Sequence, residues 1–403
     1  MSSQIDGRYH GQGGPLFALY VKTALLTVLT LGIYRFWAKT RIRKHIWSAT
    51  EGDGDSFEYT GTGLEKLLGF LLAVVILAVY LGIVQMILFF FGIFLFEEPE
   101  TQAQVLVQMA GIYITVLAVV PLIFFAQYRA RRYRMARTRW RGLRFGMEHG
   151  AWGYAGRAIL YLILTILTLG ILLPRQTFLL EKYMTDRTWY GNGRFVQGGK
   201  WTALYPGMKH LAIALAVLIG SAIVALLLQS GTLAVLGSTV GYVWLAVGFV
   251  HYRVFSFNYL TRHKILDGEV SFEASARTGQ IVKIYVIGGL CTLGVGLVFA
   301  FLISILFAGF MPFMLDPGAA GSGAISGGAG IGFFIAMIVL YGGFFLILGG
   351  ISLVMIVQRS IEHFVTSVIV GNADHLETVR QRTGDAGADA EGFADALDVG
   401  GAI

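Results

Sequence analysis

Cysteine is almost absent: the 403 residues include one, Cys291, inside an apolar run. That excludes an intrachain disulfide framework and a cysteine-built metal site. Charge is scarce too, at 14% Asp, Glu, Lys and Arg against 56% hydrophobic residues. So few charges cannot cover the surface of a soluble fold, so the chain reads as an integral membrane protein. No nucleophile elbow, Walker loop or dinucleotide fingerprint is present. Gly11-x-Gly13-Gly14 lacks the preceding strand that a dinucleotide loop requires, and the eight histidines form no HExxH or i,i+4 metal pair. The expectation is a protein that is not an enzyme and holds no cofactor or metal. The polar, Gly-rich stretch Met1–Pro15 has no basic region followed by an apolar one, so no cleavable signal is expected there.

Long charge-free runs are what the chain has. Leu67–Phe96, Thr101–Tyr128, Leu211–Val250 (broken at Gln229-Ser230-Gly231-Thr232), Ile284–Leu315 and Ile331–Gln358 supply six spans of roughly 20 apolar residues or more, in three hairpins. Two weaker segments remain. Leu16–Phe36 is interrupted by Lys22, and Ala158–Pro174 is bounded by Arg157 and Arg175. At about 1.5 Å per residue the second reaches roughly 25 Å, short for an upright span. If only the six strong runs cross, the outer loops Glu97–Glu100, Gln229–Thr232 and Gly309–Gly330 contain none of the 31 Lys and Arg residues. That is the positive-inside bias in extreme form. If Ala158–Pro174 crossed, the bias would collapse. The weak segments are therefore expected to be re-entrant or interfacial, with both termini cytoplasmic.

Two repeats are visible. Leu26-Thr27-Val28-Leu29-Thr30-Leu31-Gly32-Ile33 recurs as Leu164-Thr165-Ile166-Leu167-Thr168-Leu169-Gly170-Ile171, differing only at Val28 and Ile166. A second repeat joins a basic, aromatic helical stretch to a turn signal and a short strand. Examples are Gly52-Asp53-Gly54-Asp55 before Phe57-Glu58-Tyr59, Gly142 before Leu143-Arg144-Phe145, Gly191-Asn192-Gly193 before Arg194-Phe195-Val196, and Asp267-Gly268 before Val270-Ser271-Phe272. These signals suit tight β-hairpins. Gly371-Asn372 opens a decayed fifth copy, and Arg8–Gly14 resembles the second half of a unit. The fold class expected is thus all-α, six transmembrane helices and two partial segments, decorated by short cytoplasmic β-hairpins. Residues 1–375 form this repeated membrane domain. Residues 376–403 form an acidic tail expected to be disordered, its stretch Gly384–Ile403 being Gly/Ala-rich and without a basic residue.

Leu29-Thr30-Leu31-Gly32-Ile33-Tyr34-Arg35-Phe36-Trp37-Ala38-Lys39, then Arg41 and Trp47, then Phe57-Glu58-Tyr59-Thr60-Gly61-Thr62-Gly63, resemble the YjgN-like family of bacterial inner-membrane proteins, which contain a domain of unknown function. The resemblance covers about residues 8–375. It implies a multi-pass protein of the bacterial inner membrane and brings no catalytic residues.

The residues themselves support two readings of function. In the first, the chain is a transporter or channel for a small solute. Lys22, Thr27, Thr30, Gly32, Thr165, Thr168 and Gly170 in the broken segments would contact the solute or a lipid. In the alternative, the chain is a non-catalytic scaffold binding anionic headgroups. Arg35, Lys39, Arg41, Arg131, Arg132 and Arg134 would supply charge, and Trp37, Trp47, Trp140 and Trp189 an interfacial belt. Position directly after a span favours lipid over nucleic acid as the partner of the basic run. The acidic cluster Glu51, Asp53, Asp55, Glu58 reads as a solvated turn that neutralises nearby cations. Glycine pairs such as Gly288-Gly289 and Gly349-Gly350 suit close helix packing. Self-association into a homo-oligomer stays open.

Overall fold

The computed structural model describes residues 3–95, 97–315 and 328–382. Much of Gly309–Gly330, expected as an outer loop, and all of Gly384–Ile403 lie outside them. Among the described residues six helices are long and apolar enough to cross a membrane. They come in three consecutive pairs, as the apolar runs predict. In chain order the helices are α1 (Gly13–Leu29), α2 (Arg35–Ser48), α3 (Gly63–Phe90), α4 (Gln102–Ala136), α5 (Ala151–Leu167), α6 (Leu173–Thr185), α7 (Lys209–Leu227), α8 (Gly231–Arg262), α9 (Thr278–Leu315), α10 (Gly328–Ile351) and α11 (Arg359–Thr366). A π-helical stretch, Ser352–Gln358, joins the last two.

The expectation of an all-α protein is overturned by the strands. These are β1 (Gln4–Tyr9), β2 (Thr50–Gly52), β3 (Asp55–Ser56), β4 (Glu58–Tyr59), β5 (Thr138–Trp140), β6 (Leu143–Met147), β7 (Thr188–Tyr190), β8 (Gly193–Gln197), β9 (Lys264–Leu266), β10 (Val270–Ala274) and β11 (Val368–Gly371). They are not separate hairpins. They join in one antiparallel sheet of order β3-β2-β1-β11-β10-β9-β8-β7-β6-β5-β4. Its two edge strands, β3 and β4, are consecutive in the chain and separated only by Phe57. The sheet therefore curls into a nearly closed barrel whose seam is crossed by the backbone itself. The Phe57 amide, at the seam, donates to the Thr50 carbonyl at 2.9 Å. Isolated two-stranded hairpins this short are marginal in water. Ring closure gives each a neighbour on both sides, which is why they persist.

Each second strand changes partner midway. In β6, Leu143 and Arg144 pair with β5, and Phe145, Gly146 and Met147 pair with β7. β8 does the same, with Gly193 and Arg194 on β7 and Phe195 to Gln197 on β9. The N-terminal β1 occupies the equivalent place after β11: Gln4, Ile5 and Asp6 pair with β11, then Gly7, Arg8 and Tyr9 with β2. The first and last strands of the described chain thus meet. Both turn residues have positive φ in Asp53-Gly54 (54° and 80°) and Arg141-Gly142 (48° and 74°), the type I′ geometry that matches strand twist.

Every helical excursion leaves the barrel and returns to it. The α3–α4, α7–α8 and α9–α10 pairs make long excursions, and α1–α2 and α5–α6 short ones. Within the long pairs, Tyr80 Oη donates to the Ala118 carbonyl at 2.9 Å and Gln85 Nε2 to Thr115 Oγ1 at 3.1 Å. A Cβ on Gly237, Gly241 or Gly248 of α8 would run into Ser221, Leu218 or Leu211 of α7, so these glycines let the two backbones approach. Gly288 sits against Ile356, and Gly349 and Gly350 sit against Tyr20 and Phe17 in the same manner. Gly289, Gly294, Gly296, Gly342 and Gly343 have no such neighbour.

A side chain at Gly54 or Gly142 meets open space, so only the backbone resists it. Gly54→Val and Gly142→Val should each lose about 1–2 kcal/mol, the cost of a left-handed L-residue. Gly14→Ala, also in open space but in a helix, should be neutral or slightly stabilising. Thermal unfolding of the detergent-solubilised protein measures all three.

Candidate functional site: the barrel lumen

Alternation along each strand sends one set of side chains inward. In the second strands the inward central residues are Phe57, Phe145, Phe195 and Phe272. The equivalent in β1 is Gly7, where a Cβ would strike the Val365 backbone. The first strands contribute Trp140, Tyr190, Leu266 and Val370, with Gly52 opposite Gly7. Phe57 stacks on Trp140 at 5.8 Å, Phe145 lies 4.6 Å from Tyr190, and Phe195 lies 5.9 Å from Phe272 between ring centroids. Together they surround an apolar cavity of about 280 Å³. Tyr190 Oη donates to the Trp140 carbonyl at 3.0 Å. Burial pushes its phenol up to about 12, against the partial opposing pull of Arg141.

One mouth of the barrel is covered by the chain that follows β11. A 3₁₀ turn, Ala373–Thr378, directs Leu376 inward, and Ala373, Leu376 and Val379 join the buried core with Ile5, Trp140 and Tyr190. Asn192 and Arg380 exchange backbone and side-chain hydrogen bonds at 2.8 Å. Arg382 lies over the Trp189 ring at 5.6 Å.

The other mouth meets the ends of the helices. A second cavity of about 360 Å³ lies there, lined by Ile46 and Trp47 of α2, Met135 of α4 and Ile361 and Val365 of α11. Thr50, Phe57, Phe145 and Val365 border both cavities, so the two adjoin. Helices are tied to the barrel by polar contacts around this crown. Arg131 of α4 grips Glu181 of α6 through two hydrogen bonds of 2.7 and 3.0 Å, and Lys264 of β9 reaches the same carboxylate at 2.9 Å. Burial alone would raise the Glu181 carboxyl, but the two cations outweigh it and hold it well below the usual carboxylate range. Arg137 pairs with Glu65 at 3.2 Å, and Trp47 Nε1 donates to Thr138 Oγ1 at 3.0 Å.

The residues expected to contact a solute sit elsewhere. Thr27, Thr30 and Gly32 form the tip between α1 and α2, and Thr165, Thr168 and Gly170 the tip between α5 and α6. Both tips are the same turn. Gly32 N–H donates to the Thr27 carbonyl and Gly170 N–H to the Thr165 carbonyl, each at 2.7 Å. Leu31 and Leu169 both have φ of 50°. This is a Schellman end with leucine where glycine is usual. The Thr27, Thr30 and Thr168 hydroxyls donate to carbonyls one turn back at 2.8 Å, and Thr165 Oγ1 is buried with no hydrogen-bond partner among the described residues. Lys22 is exposed on α1. None of these seven residues lines either cavity.

The basic and aromatic candidates divide. Arg35 lies over Phe36 at 5.7 Å, Arg41 over Tyr34 at 5.5 Å, and Trp37 beside Tyr34 at 6.1 Å. Arg131 is engaged by Glu181, and Arg132 Nε donates to the Met147 carbonyl at 3.1 Å. Lys39 and Arg134 also make interactions within the chain. Trp140 and Trp189 are in the barrel, each 7% exposed, and not on a lipid-facing belt. Of the acidic cluster, Asp53 and Asp55 pair with Arg141, and Glu51 with His10 at 3.0 Å. The lumen phenylalanines were missed as a site, although each occupies the same place after its turn in the sequence.

The profile of a family described as bacterial protein of unknown function (DUF898) matches residues 4–396. The chain is similar to the inner membrane protein YjgN of Escherichia coli (strain K12), 27% identical over 146 residues, which is 36% of this chain and 32% of that protein. It is also similar to the protein of the same name from Salmonella typhimurium (strain LT2), 32% identical over 77 residues, which is 19% of this chain and 20% of that protein. The match thus spans about a third of the length of the first of these relatives. No solved structure matches the chain.

Glu181 contributes stability above its unfolded pKa of about 4.3, and that contribution drains away as pH falls from there toward its depressed folded value. Glu181→Gln should lose on the order of 3 kcal/mol at pH 7 by leaving two cations without their anion. It should also flatten the acid limb of the unfolding profile. Melting curves from pH 7 to pH 3 test both effects.

Proposed function

The chain belongs to the DUF898 family of bacterial proteins, as its resemblance to YjgN-like proteins implied, and on that premise we propose a non-catalytic membrane scaffold that grips anionic lipid headgroups. Charge asymmetry carries the reading. The turns at the far ends of the α3–α4 and α7–α8 pairs contain no Lys or Arg, whereas the barrel and the crown above it are rich in both. Such a bias supports a barrel in the cytoplasm. The names of its relatives support the bacterial inner membrane, and the charge bias supports both termini on the cytoplasmic side. In this orientation α1–α2 and α5–α6 enter the bilayer from below and turn back, as duplicated re-entrant hairpins. Their tip leucines, Leu31 and Leu169, are 95% and 90% exposed, which suits hydrocarbon and would be costly in water. Arg35, Lys39 and Arg41 then lie at headgroup depth, each adding about 1 kcal/mol of attraction to an anionic leaflet.

Transport of a small solute is the second reading, and the two broken helical tips favour it. It is the weaker reading, because the tip hydroxyls of Thr27, Thr30 and Thr168 are already engaged by helix carbonyls.

Two measurements test the proposal. In a Cys291→Ser background, Val196→Cys should react with an impermeant maleimide in inverted membrane vesicles and not in intact cells. Labelling from outside would overturn the orientation. Purified from membranes containing phosphatidylglycerol and phosphatidylcholine, the protein should retain the anionic lipid in excess. Arg35→Gln with Lys39→Gln and Arg41→Gln should reduce that excess, and an unchanged ratio would remove the headgroup role.

A further inference from the structure

We propose that the barrel lumen is a binding site for one acyl chain of a membrane phospholipid, threaded tail-first from the crown. The inference takes from the preceding reading only the orientation that sets the crown against the bilayer.

Four observations carry it. The cavity inside the barrel, about 280 Å³, is walled by Phe57, Phe145, Phe195, Phe272, Trp140 and Tyr190. Tyr190 spends its hydroxyl on the Trp140 carbonyl, and the Trp140 indole N–H donates outward to the Asp55 carbonyl at 3.1 Å. The wall therefore offers an entrant rings and aliphatic side chains rather than these polar atoms. An apolar cavity of even roughly 150 Å³ stays dry and takes up apolar guests. Water is thus the wrong occupant, while an unfilled space of this size is destabilising.

The second cavity, about 360 Å³, continues the first through Thr50, Phe57, Phe145 and Val365. Both volumes sit near the lower end of those of small-molecule sites, which begin at roughly 300 Å³. The far mouth is covered by Leu376 and Val379, so entry is from the crown. There the lining comes from α2, α4 and α11, and α4 and the span that ends in α11 are long apolar helices, little of which is buried. None of the most apolar window of Thr278–Gly309 or of Ile331–Thr366 is buried. The abundant apolar material at that mouth is lipid. A hydrocarbon chain matches the lumen in polarity and direction, and its headgroup would stay at the level of the crown, where Arg43 and Arg137 sit beside Tyr59 and Glu65.

Trp140 reports on the lumen because it lines the cavity and is otherwise buried. The full-length protein is reconstituted with phosphatidylglycerol, and separately phosphatidylcholine, brominated at mid-chain. Comparison with Trp140→Phe isolates the Trp140 emission. It should fall at least twofold in both lipids, and the Trp189 emission, isolated through Trp189→Phe, should not. Quenching in both lipids separates this site from the headgroup reading, whose failure would appear only as loss of preference between them. Native mass spectrometry supplies a second readout that needs no quencher. The wild type should retain one adduct of phospholipid mass, and Val370→Phe with Leu266→Phe, which fill the lumen while remaining apolar, should reduce its occupancy about tenfold. Unquenched Trp140, an adduct of fatty-acid mass, or occupancy indifferent to the filled lumen would each overturn the proposal.

Discussion

A strand with an unpaired edge is unstable and adhesive, and this protein has arranged its strands so that almost no edge remains. The backbone at Phe57 closes the ring by running from one edge strand directly into the other. Everything else hangs from that closure. Five helical excursions begin and end on the ring, so the position of each is set by the strand it leads into. The membrane helices themselves share little core. What fixes them is the barrel beneath and the contacts at its rim, above all Arg131 and Lys264 on either side of Glu181.

Closure also explains the lumen. Strands this short project one or two side chains inward each, and those at the centre of four of the five sectors are phenylalanine. The fifth sector departs from that pattern because α11 comes close to β1 there, and only glycine fits at Gly7. The result is an asymmetric apolar chamber, roofed by helix ends and floored by Leu376 and Val379. The barrel thus lies beneath the membrane hairpins, with its apolar chamber opening toward them, and the proposed lipid site rests on that arrangement.

Much of this was legible in the residues. Charge-free runs gave six helices because length and hydropathy leave few other places for 20 or more apolar residues. Asp53-Gly54 and Asp267-Gly268 marked turns because positive φ selects for such pairs. The duplicated Thr-x-Leu-Thr-Leu-Gly segment gave two helix ends with the same hydrogen bonds. The sheet was not legible. Its strands are two to six residues long, and each pairs with a strand of the next unit across a helical excursion, a relation that local pattern cannot reveal. Trp140 and Trp189 were misread for the same reason. A tryptophan beside a basic run near a membrane suits an interfacial belt, and only the closed ring turns it into barrel wall. The signal that pointed the other way was the constant position of Phe57, Phe145, Phe195 and Phe272 after their turns.

Closure of the ring is the claim on which the account stands, and a cross-link between β4, just past the seam, and its neighbour β5 tests it. Glu58 and Arg139 are paired across β4 and β5. In a Cys291→Ser background, the pair Glu58→Cys and Arg139→Cys should oxidise to a disulfide within the folded, membrane-embedded protein, because opposed strand residues lie within disulfide reach. The cross-linked protein should melt no lower than its reduced form. Cysteines that stay reduced under oxidant in the folded protein, or a disulfide that forms only after unfolding, would mean that the ring is open and that the helices are organised by something else.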